Sequence, residues 1–453
     1  MKITRYRLHG GCAAVGMAAL VLTGCVGIPA PGEKETRDTV SRVAERLSPE
    51  APTTVLSPLT TSSTHADALR FAALNNPRVR AAYFDWVKAV ERITIERSLP
   101  DPQFSFQADI TDMIEAAMPG LMFDLPGPKK LKLAGQMAGA EAQVKFHALA
   151  VEIQQVAFAF KRAYYQLYFL DAKISVNRET LELVGDLEQI ARRQNELGKV
   201  TLQDVLRAQI EQDQMSTEIT NLEDSRSALL AAYKAALGLQ RMAADPAIPA
   251  QFETTPLEMN PDHLWELALR QNPRLKAMEA DVKAAEASMQ LARRSRIPDF
   301  AVGLEADVKA SPIMARPTFG MSLPIWKDKI AAEIAAAQAS KSAGEARLAG
   351  EQIMLAVELA EKSFMLREST RNLTLLEDAL LPKAKQSLEV ARAGYLSGQV
   401  SFFDLLDAWK TRLDFELKLI EAKAQRELAI AELSLLVAGN QPSGSPLAGF
   451  PNN

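Results

Sequence analysis

The stretch ALRFAALNNPRVRAA at residues 68–82 returns as ELALRQNPRLKAMEA at 266–280. In both, an Asn-Pro pair (Asn76-Pro77, Asn272-Pro273) separates two apolar segments of helical character. Proline has no amide donor and drives its predecessor out of α geometry, so each pair marks a turn between a short helix and a longer one. Two more matches keep the same order. Pro102-Gln103-Phe104 recurs 196 residues on as Pro298-Asp299-Phe300, and LGKVTLQDVLRAQ (197–209) recurs 200 residues on as SGQVSFFDLLDAW (397–409). Three ordered matches at nearly one offset make the chain an internal duplication.

Between the matches the period changes. Phe104, Phe106, Ala108 and Ile110 alternate with Ser105, Gln107 and Asp109, which is the period of a strand. Met118-Pro119-Gly120 reads as the turn, after which Leu121, Phe123 and Leu125 alternate back. In the second copy Phe300, Val302, Leu304, Ala306 and Val308 alternate with Gly303, Glu305, Asp307 and Lys309, Ser311-Pro312 turns, and Phe319, Met321 and Leu323 return. Each repeat therefore holds one β-hairpin, about 102–126 and 298–324, with strands of roughly nine to eleven residues. A soluble hairpin with one buried face fits this pattern. So does a membrane barrel, although four strands cannot close one alone.

Long helices follow. Lys129 to Glu196 and Lys327 to Leu381 contain no proline, and the first run is on the order of 100 Å long. Such a helix needs neighbours along its length. Alanines at 331–332, 335–337 and 339 spread over several faces, which suits packing on two sides better than a single coiled-coil seam. Return helices run from about Thr201 to Leu237 and from Ser401 to Val437. At the tips, Gly198 and Gly398 end one helix, and Thr201 and Ser401 cap the next. Asp204 and Asp404 stand in the first turn, where the helix dipole favours an anion.

Lys2, Arg5 and Arg7 precede the apolar run Gly10–Leu22, too short for a comfortable membrane span. The run ends in Leu22-Thr23-Gly24-Cys25, which resembles the bacterial lipobox, where cleavage precedes a cysteine that becomes acylated. A conventional signal peptide with a chance cysteine is the alternative. Cys12 would leave with the leader, so a covalent lipid on Cys25 would use the last thiol and no disulfide is expected. Val26 stands where an aspartate commonly retains lipoproteins at the inner membrane, which favours the outer membrane.

The domain plan is a signal peptide over 1–24, a lipidated tether over 25–65 with room for one short helix, and a first repeat over 66–240. A linker over 241–261, a second repeat over 262–440 and a tail over 441–453 complete it. The formal net charge of −4, with no basic cluster, excludes nucleic acid as the main partner. His9, His65, His147 and His263 are scattered without metal spacing, so no metal is expected, and no phosphate loop or nucleophile elbow occurs. The aromatic run from Phe158 to Phe169 reads as packing, and Met113, Met118 and Met122 as filler rather than a soft-metal site.

Helix, strand, strand, long helix and return helix, duplicated behind a lipobox, resembles the outer membrane efflux protein family, the TolC-like exit ducts. The likeness spans roughly 66–440 and rests on the Asn-Pro pairs, on Leu125-Pro126 and Leu323-Pro324, and on the G-x-V-[ST]-x-x-D tips. It implies a mainly α fold with a small β part, in which the long-helix hairpins form a periplasmic α-barrel. The two β-hairpins of each protomer would join a twelve-stranded membrane barrel in a homotrimer. The trimer would dock on a periplasmic adaptor (a membrane fusion protein) and an inner-membrane pump, and passively conduct what the pump expels.

The resemblance also implies site residues. Aspartates near the second-copy tip ring the periplasmic entrance in the family, which here designates Asp404 and Asp407, six carboxylates in a trimer that would raise one another's pKa. The first copy keeps Asp204 but has Arg207 opposite Asp407. Tyr395 matches a tyrosine that ties the closed mouth, with Asp204 as partner, whereas the arginine of a second tie is replaced by Val400. Asp109, Glu305 and Asp307 are the expected acidic lining of the pore. The competing reading is a periplasmic helical lipoprotein scaffold whose short hairpins form no open pore. An enzyme finds no support in these residues.

Overall fold

The computed structural model describes residues 30–47, 59–60, 63, 65–110, 114–248 and 261–437. The leader, Cys25, residues 26–29, 48–58, 61–62 and 64 of the tether, residues 111–113, residues 249–260 of the linker and the tail lie outside them. The described elements, in chain order, are α1 (Glu33–Leu47), α2 (His65–Asn75), α3 (Pro77–Arg97), β1 (Gln103–Ile110), β2 (Ile114–Leu125), α4 (Lys130–Glu196) and α5 (Leu202–Ala236). The second copy gives α6 (Pro261–Gln271), α7 (Pro273–Arg293), β3 (Phe300–Asp307), β4 (Met314–Met321), α8 (Lys327–Leu375), a π-helical turn (Leu376–Leu380), α9 (Leu381–Ser397) and α10 (Phe402–Leu436). The expected duplication is thus present element by element.

Two compact units divide these elements, and each repeat contributes to both. One comprises residues 1–51, 82–148 and 276–350; the other comprises 52–81, 149–275 and 351–453.

The first unit carries a single antiparallel sheet in the order β1-β2-β3-β4. Its two hairpins are where the alternation placed them, with two corrections. Met118, Pro119 and Gly120 do not turn the chain but lie within β2, and the first connection falls between Ile110 and Ile114. Pro119 lies opposite Phe106 within the β1–β2 pairing; the continuous β2–β3 register ends beside it at Gly120↔Glu305, and one further bond, from the Val308 N–H to Ala117 O (3.0 Å), follows beyond it. Three strands are also shorter than expected and one longer: β1, β3 and β4 have eight residues and β2 has twelve. Val308 and Leu323 fall just outside them.

This unit also holds α1, which makes the tether less extended than its composition implies. Glu33 is buried and gathers donors from several elements. It accepts from the Ala30 N–H (3.0 Å), from Arg37 (3.2 Å) and from Arg97 Nη2 on α3 (3.2 Å), and the Arg97 guanidinium approaches it to 2.8 Å as an ion pair. These contacts hold its carboxyl below the usual range against the opposing effect of burial, and Arg37 extends the clamp to Glu91 and Thr94.

In the second unit the Asn-Pro pairs acquire a physical role. Asn76 Oδ1 accepts from the Arg78 N–H (3.0 Å), capping α3, while its Nδ2 donates to Ala236 O in the last turn of α5 (3.3 Å). Asn272 repeats this, accepting from Arg274 (2.8 Å) and Leu275 (3.3 Å) and donating to Leu436 O (3.0 Å). One amide side chain thereby satisfies the start of one helix and the end of another. Gly238, at φ +74°, completes the first junction: a Cβ there would lie 2.7 Å from Asn75 O.

The proline-free run after Lys327 is not one regular helix. Leu381 N–H reaches back to Leu376 O, five residues away, just ahead of Pro382. The wider turn absorbs the carbonyl that a proline ring would otherwise crowd. The run Phe160 to Phe169 packs as expected, with Phe160 against Tyr233 at 5.6 Å and stacked on Tyr164.

Candidate functional site

The sheet separates its two faces completely. The row Phe104↔Leu121↔Leu304↔Pro317 crosses all four strands, flanked by Phe123↔Val302↔Phe319 and Leu125↔Phe300↔Met321. Phe104, Phe106, Leu304 and Phe319 on this face are exposed, so nothing among the described residues covers them. The opposite face carries Gln103↔Met122↔Gly303↔Thr318 and Ser105↔Gly120↔Glu305↔Arg316. Gly120 leaves room for its neighbours, since a Cβ there would lie 2.6 Å from Ser105 Oγ and 2.7 Å from Glu305 Cγ. A bare apolar face backed by a polar one is the pattern of a strand set between lipid and water.

All three expected lining residues fall on the polar face, but their surroundings differ. Asp109 is exposed. Glu305 stands directly across from Arg316 on β4. Asp307 is occupied by local structure: Oδ1 accepts from the N–H groups of Lys309 (3.1 Å) and Ala310 (3.3 Å), closing the turn after β3. Arg316 donates to Met118 Sδ (3.4 Å) and lies 4.0 Å from Asp307 Oδ2. Arg316 therefore sets a positive charge among the acidic residues of the polar face. Arg316 was missed because Pro317 reads as a strand breaker. The alternation carried back from Phe319 places it on the polar face.

The second unit holds both helix-hairpin tips. Gly198 (φ +70°) and Gly398 (φ +77°) take the left-handed conformation that ends α4 and α9. Gln399 N–H then bonds to Gly394 O (2.8 Å), and Val400 packs on Gly394, whose missing side chain makes room for it. Val400 is thus a packing residue of the turn. Ser401 caps α10, accepting from the Asp404 N–H (3.2 Å) and donating to Asp404 Oδ2 (2.6 Å). Thr201 makes no such side-chain bond, so the second expected cap is absent.

Beneath the tips Leu187, Val205, Leu388, Tyr395, Phe402, Leu405 and Trp409 form one buried cluster. Asp404 and Asp407 project from its exposed side. Asp204 is half-buried, and burial pushes its carboxyl up, opposed by Arg207. The Tyr395 hydroxyl is buried and makes no hydrogen bond among the described residues. Burial, then the nearby charge of Asp204, pushes it up to about 12. Asp204 and Tyr395 are therefore neighbours but not bonded.

Two other contacts join the repeats at this level. The Arg207 guanidinium sits 5.7 Å from the centre of the exposed Phe403 ring, and Lys410 pairs with Glu211. An open groove of about 450 Å³ runs beside them, lined by Asn177, Gln214, Glu218, Trp409 and Asp414 among others. Among the described residues no group of His, Cys, Asp and Glu is placed to hold a metal, and no helix is long and apolar enough to cross a membrane.

A model of the outer membrane efflux protein family matches residues 264–439. The cobalt-zinc-cadmium resistance protein CzcC of Cupriavidus metallidurans is 23% identical over 351 residues, 76% of this chain and 82% of the relative. A membrane protein from Pseudomonas aeruginosa superposes with a TM-score of 0.73 at 19% identity, covering 87% of this chain and 94% of its own. The CmeC outer membrane channel of Campylobacter jejuni gives 0.70 at 13% identity, covering 90% and 93%.

Proposed function

We propose that this chain, an outer membrane efflux protein by its second-repeat sequence and by its fold, is the exit duct of a tripartite efflux system. It conducts substrate passively, since the energy comes from an inner-membrane pump. The observation that carries this reading is the sheet. One face is apolar and bare over four strands, the other is polar, and β1 and β4 are both unpaired edges. Such edges need partners. Because the four strands alternate in direction, β4 of one copy can pair antiparallel with β1 of the next, and repetition closes a barrel.

Three copies would give twelve strands, and this supports a homotrimer. So does the stripe Ile353, Val357 and Phe364 on α8, apolar, at helical spacing and exposed among the described residues. The entrance would be the tips, with Asp404 and Asp407 as its exposed carboxylates and the Arg207–Phe403 and Glu211–Lys410 contacts as the ties between repeats. Asp204 and Tyr395 would set the packing behind them. Asp109 and Glu305 would face the lumen with Arg316. A periplasmic adaptor would dock at the tips, and a lipid on Cys25 would tether the chain to the outer membrane. The name of the relative CzcC includes cobalt, zinc and cadmium.

Single-channel recording of the purified protein in a planar bilayer tests the reading. Discrete conductance steps from a sized trimer are expected. A monomeric protein, or a trimer silent even after its tip ties are removed, overturns the duct in favour of a periplasmic scaffold.

A further inference from the structure

The link between β4 and α8 is bare and apolar. Leu323 and Ile325 are each 63% exposed and Trp326 is 70% exposed. Phe319, Met321, Leu323 and Ile325 are exposed apolar residues at every second position from the sheet into this link, and Trp326 follows Ile325 directly, just before the helix. Lys327 and Lys329 follow at once, both exposed. The first repeat has the same chemistry after β2, with Lys129 and Lys132 exposed.

Asp299 binds the two junctions side by side. Its Oδ1 accepts from the Gly127 N–H (2.6 Å) and from Lys130 Nζ (2.7 Å), while its own N–H donates to Ser322 Oγ (2.8 Å). The lysines of both repeats therefore share one rim of the sheet. Lys130 is neutralised by Asp299, and Lys329 has a loose contact with Glu333 at 3.9 Å.

The geometry points to this rim as a binding surface for the phospholipid headgroups on the helix side of the bilayer, with anionic headgroups preferred. The inference rests on the apolar sheet face lying in the membrane. Leu323 and Ile325 extend that face to the edge of the acyl region, and Trp326 has the amphipathic ring suited to the boundary. Lys129, Lys132, Lys327 and Lys329 lay their stems on apolar surface and reach phosphate depth with their ammonium groups. A second protein is the poorer occupant, because lysine is depleted from the buried centres of protein contacts.

The test compares the full-length protein with Trp326→Ala and with the quadruple variant K129Q/K132Q/K327Q/K329Q. Each is reconstituted in vesicles of phosphatidylcholine mixed with phosphatidylglycerol, extracted, sized, and its retained lipids weighed by mass spectrometry. The unmodified protein should retain phosphatidylglycerol above its share in the vesicle. The quadruple variant should lower that enrichment about fivefold or more, and Trp326→Ala should reduce total lipid without changing the ratio. Both variants should keep the oligomer's size.

Retention of the two lipids in vesicle proportion, or enrichment untouched in the quadruple variant, overturns the inference. So does dissociation of both variants into protomers, which would make the rim a contact between copies. Lysine-dependent enrichment in a protein that never conducts would sink the duct while supporting the lipid surface.

Discussion

The side-chain amide of Asn272 donates to the carbonyl of Leu436 at 3.0 Å while its oxygen caps α7. The residue is 2% exposed, and its counterpart Asn76 ties α3 to Ala236 in the same way. The start of each repeat is thus fastened to its end by this asparagine, joined in the first repeat by Asn75, which donates to Leu237 O (3.0 Å). Asn272→Ala removes the cap, worth about 1 kcal/mol, and strands a carbonyl, which costs about 1–3 kcal/mol more. Asn272→Ser should restore the cap alone and recover about half the lost melting temperature. Equal melting of all three proteins in detergent would show that the junction contributes little.

The Glu33 clamp makes α1 sensitive to acid. Burial opposes ionisation, but the Ala30 N–H, Arg97 and Arg37 outweigh it and lower the folded pKa below the ordinary 4.5. A depressed carboxylate stabilises docking fully above its unfolded value, and that stabilisation is lost as pH falls through the folded one. Limited proteolysis within residues 34–47 should be slow at neutral pH and accelerate below about pH 4.5. Glu33→Gln should be cut rapidly at every pH. Equal rates for the two proteins at neutral pH would remove the clamp.

The exposed Asp404 and Asp407 carry the proposed selectivity of the mouth. Alanine at both positions should lower cation preference in reconstituted channels. Because Ser401 caps through the Asp404 N–H, which the change retains, the fold should be kept. Unaltered reversal potentials would move the filter to the sheet, where Asp109 and Glu305 share the polar face with Arg316.

Tyr395 and the cross-repeat ties predict opposite behaviour. The Tyr395 hydroxyl is buried without a bond, so Tyr395→Phe removes an unsatisfied group and should leave conductance unchanged or melting slightly higher. Arg207→Ala with Lys410→Ala deletes a cation–π contact and an ion pair, together about 1–2 kcal/mol. If these hold the closed mouth, open probability should rise roughly tenfold. A channel opened by Tyr395→Phe and indifferent to the double change would restore the tyrosine as the tie.

The sequence alone determined the duplication, the two hairpins, the long helices and the left-handed glycines at the tips. Each is a local matter: a period of two or of several residues, a proline without an N–H, or a glycine at positive φ shows itself in neighbouring letters. Partnership across the chain was decided only by tertiary structure. Nothing near Asn272 names Leu436, 164 residues away, as the acceptor of its amide. Pro119 reads as a turn until the register pairs it with Phe106 inside β2. Arg316 is hidden by Pro317 until four strands align and set it against Glu305, Asp307 and Met118. Glu33 looks like one charge in a polar tether until Arg97 and Arg37 close on it. A chain's own pattern sets the angle at which each side chain leaves the backbone, but a hydrogen bond or ion pair depends on distance, and distance between remote residues exists only once the chain has packed.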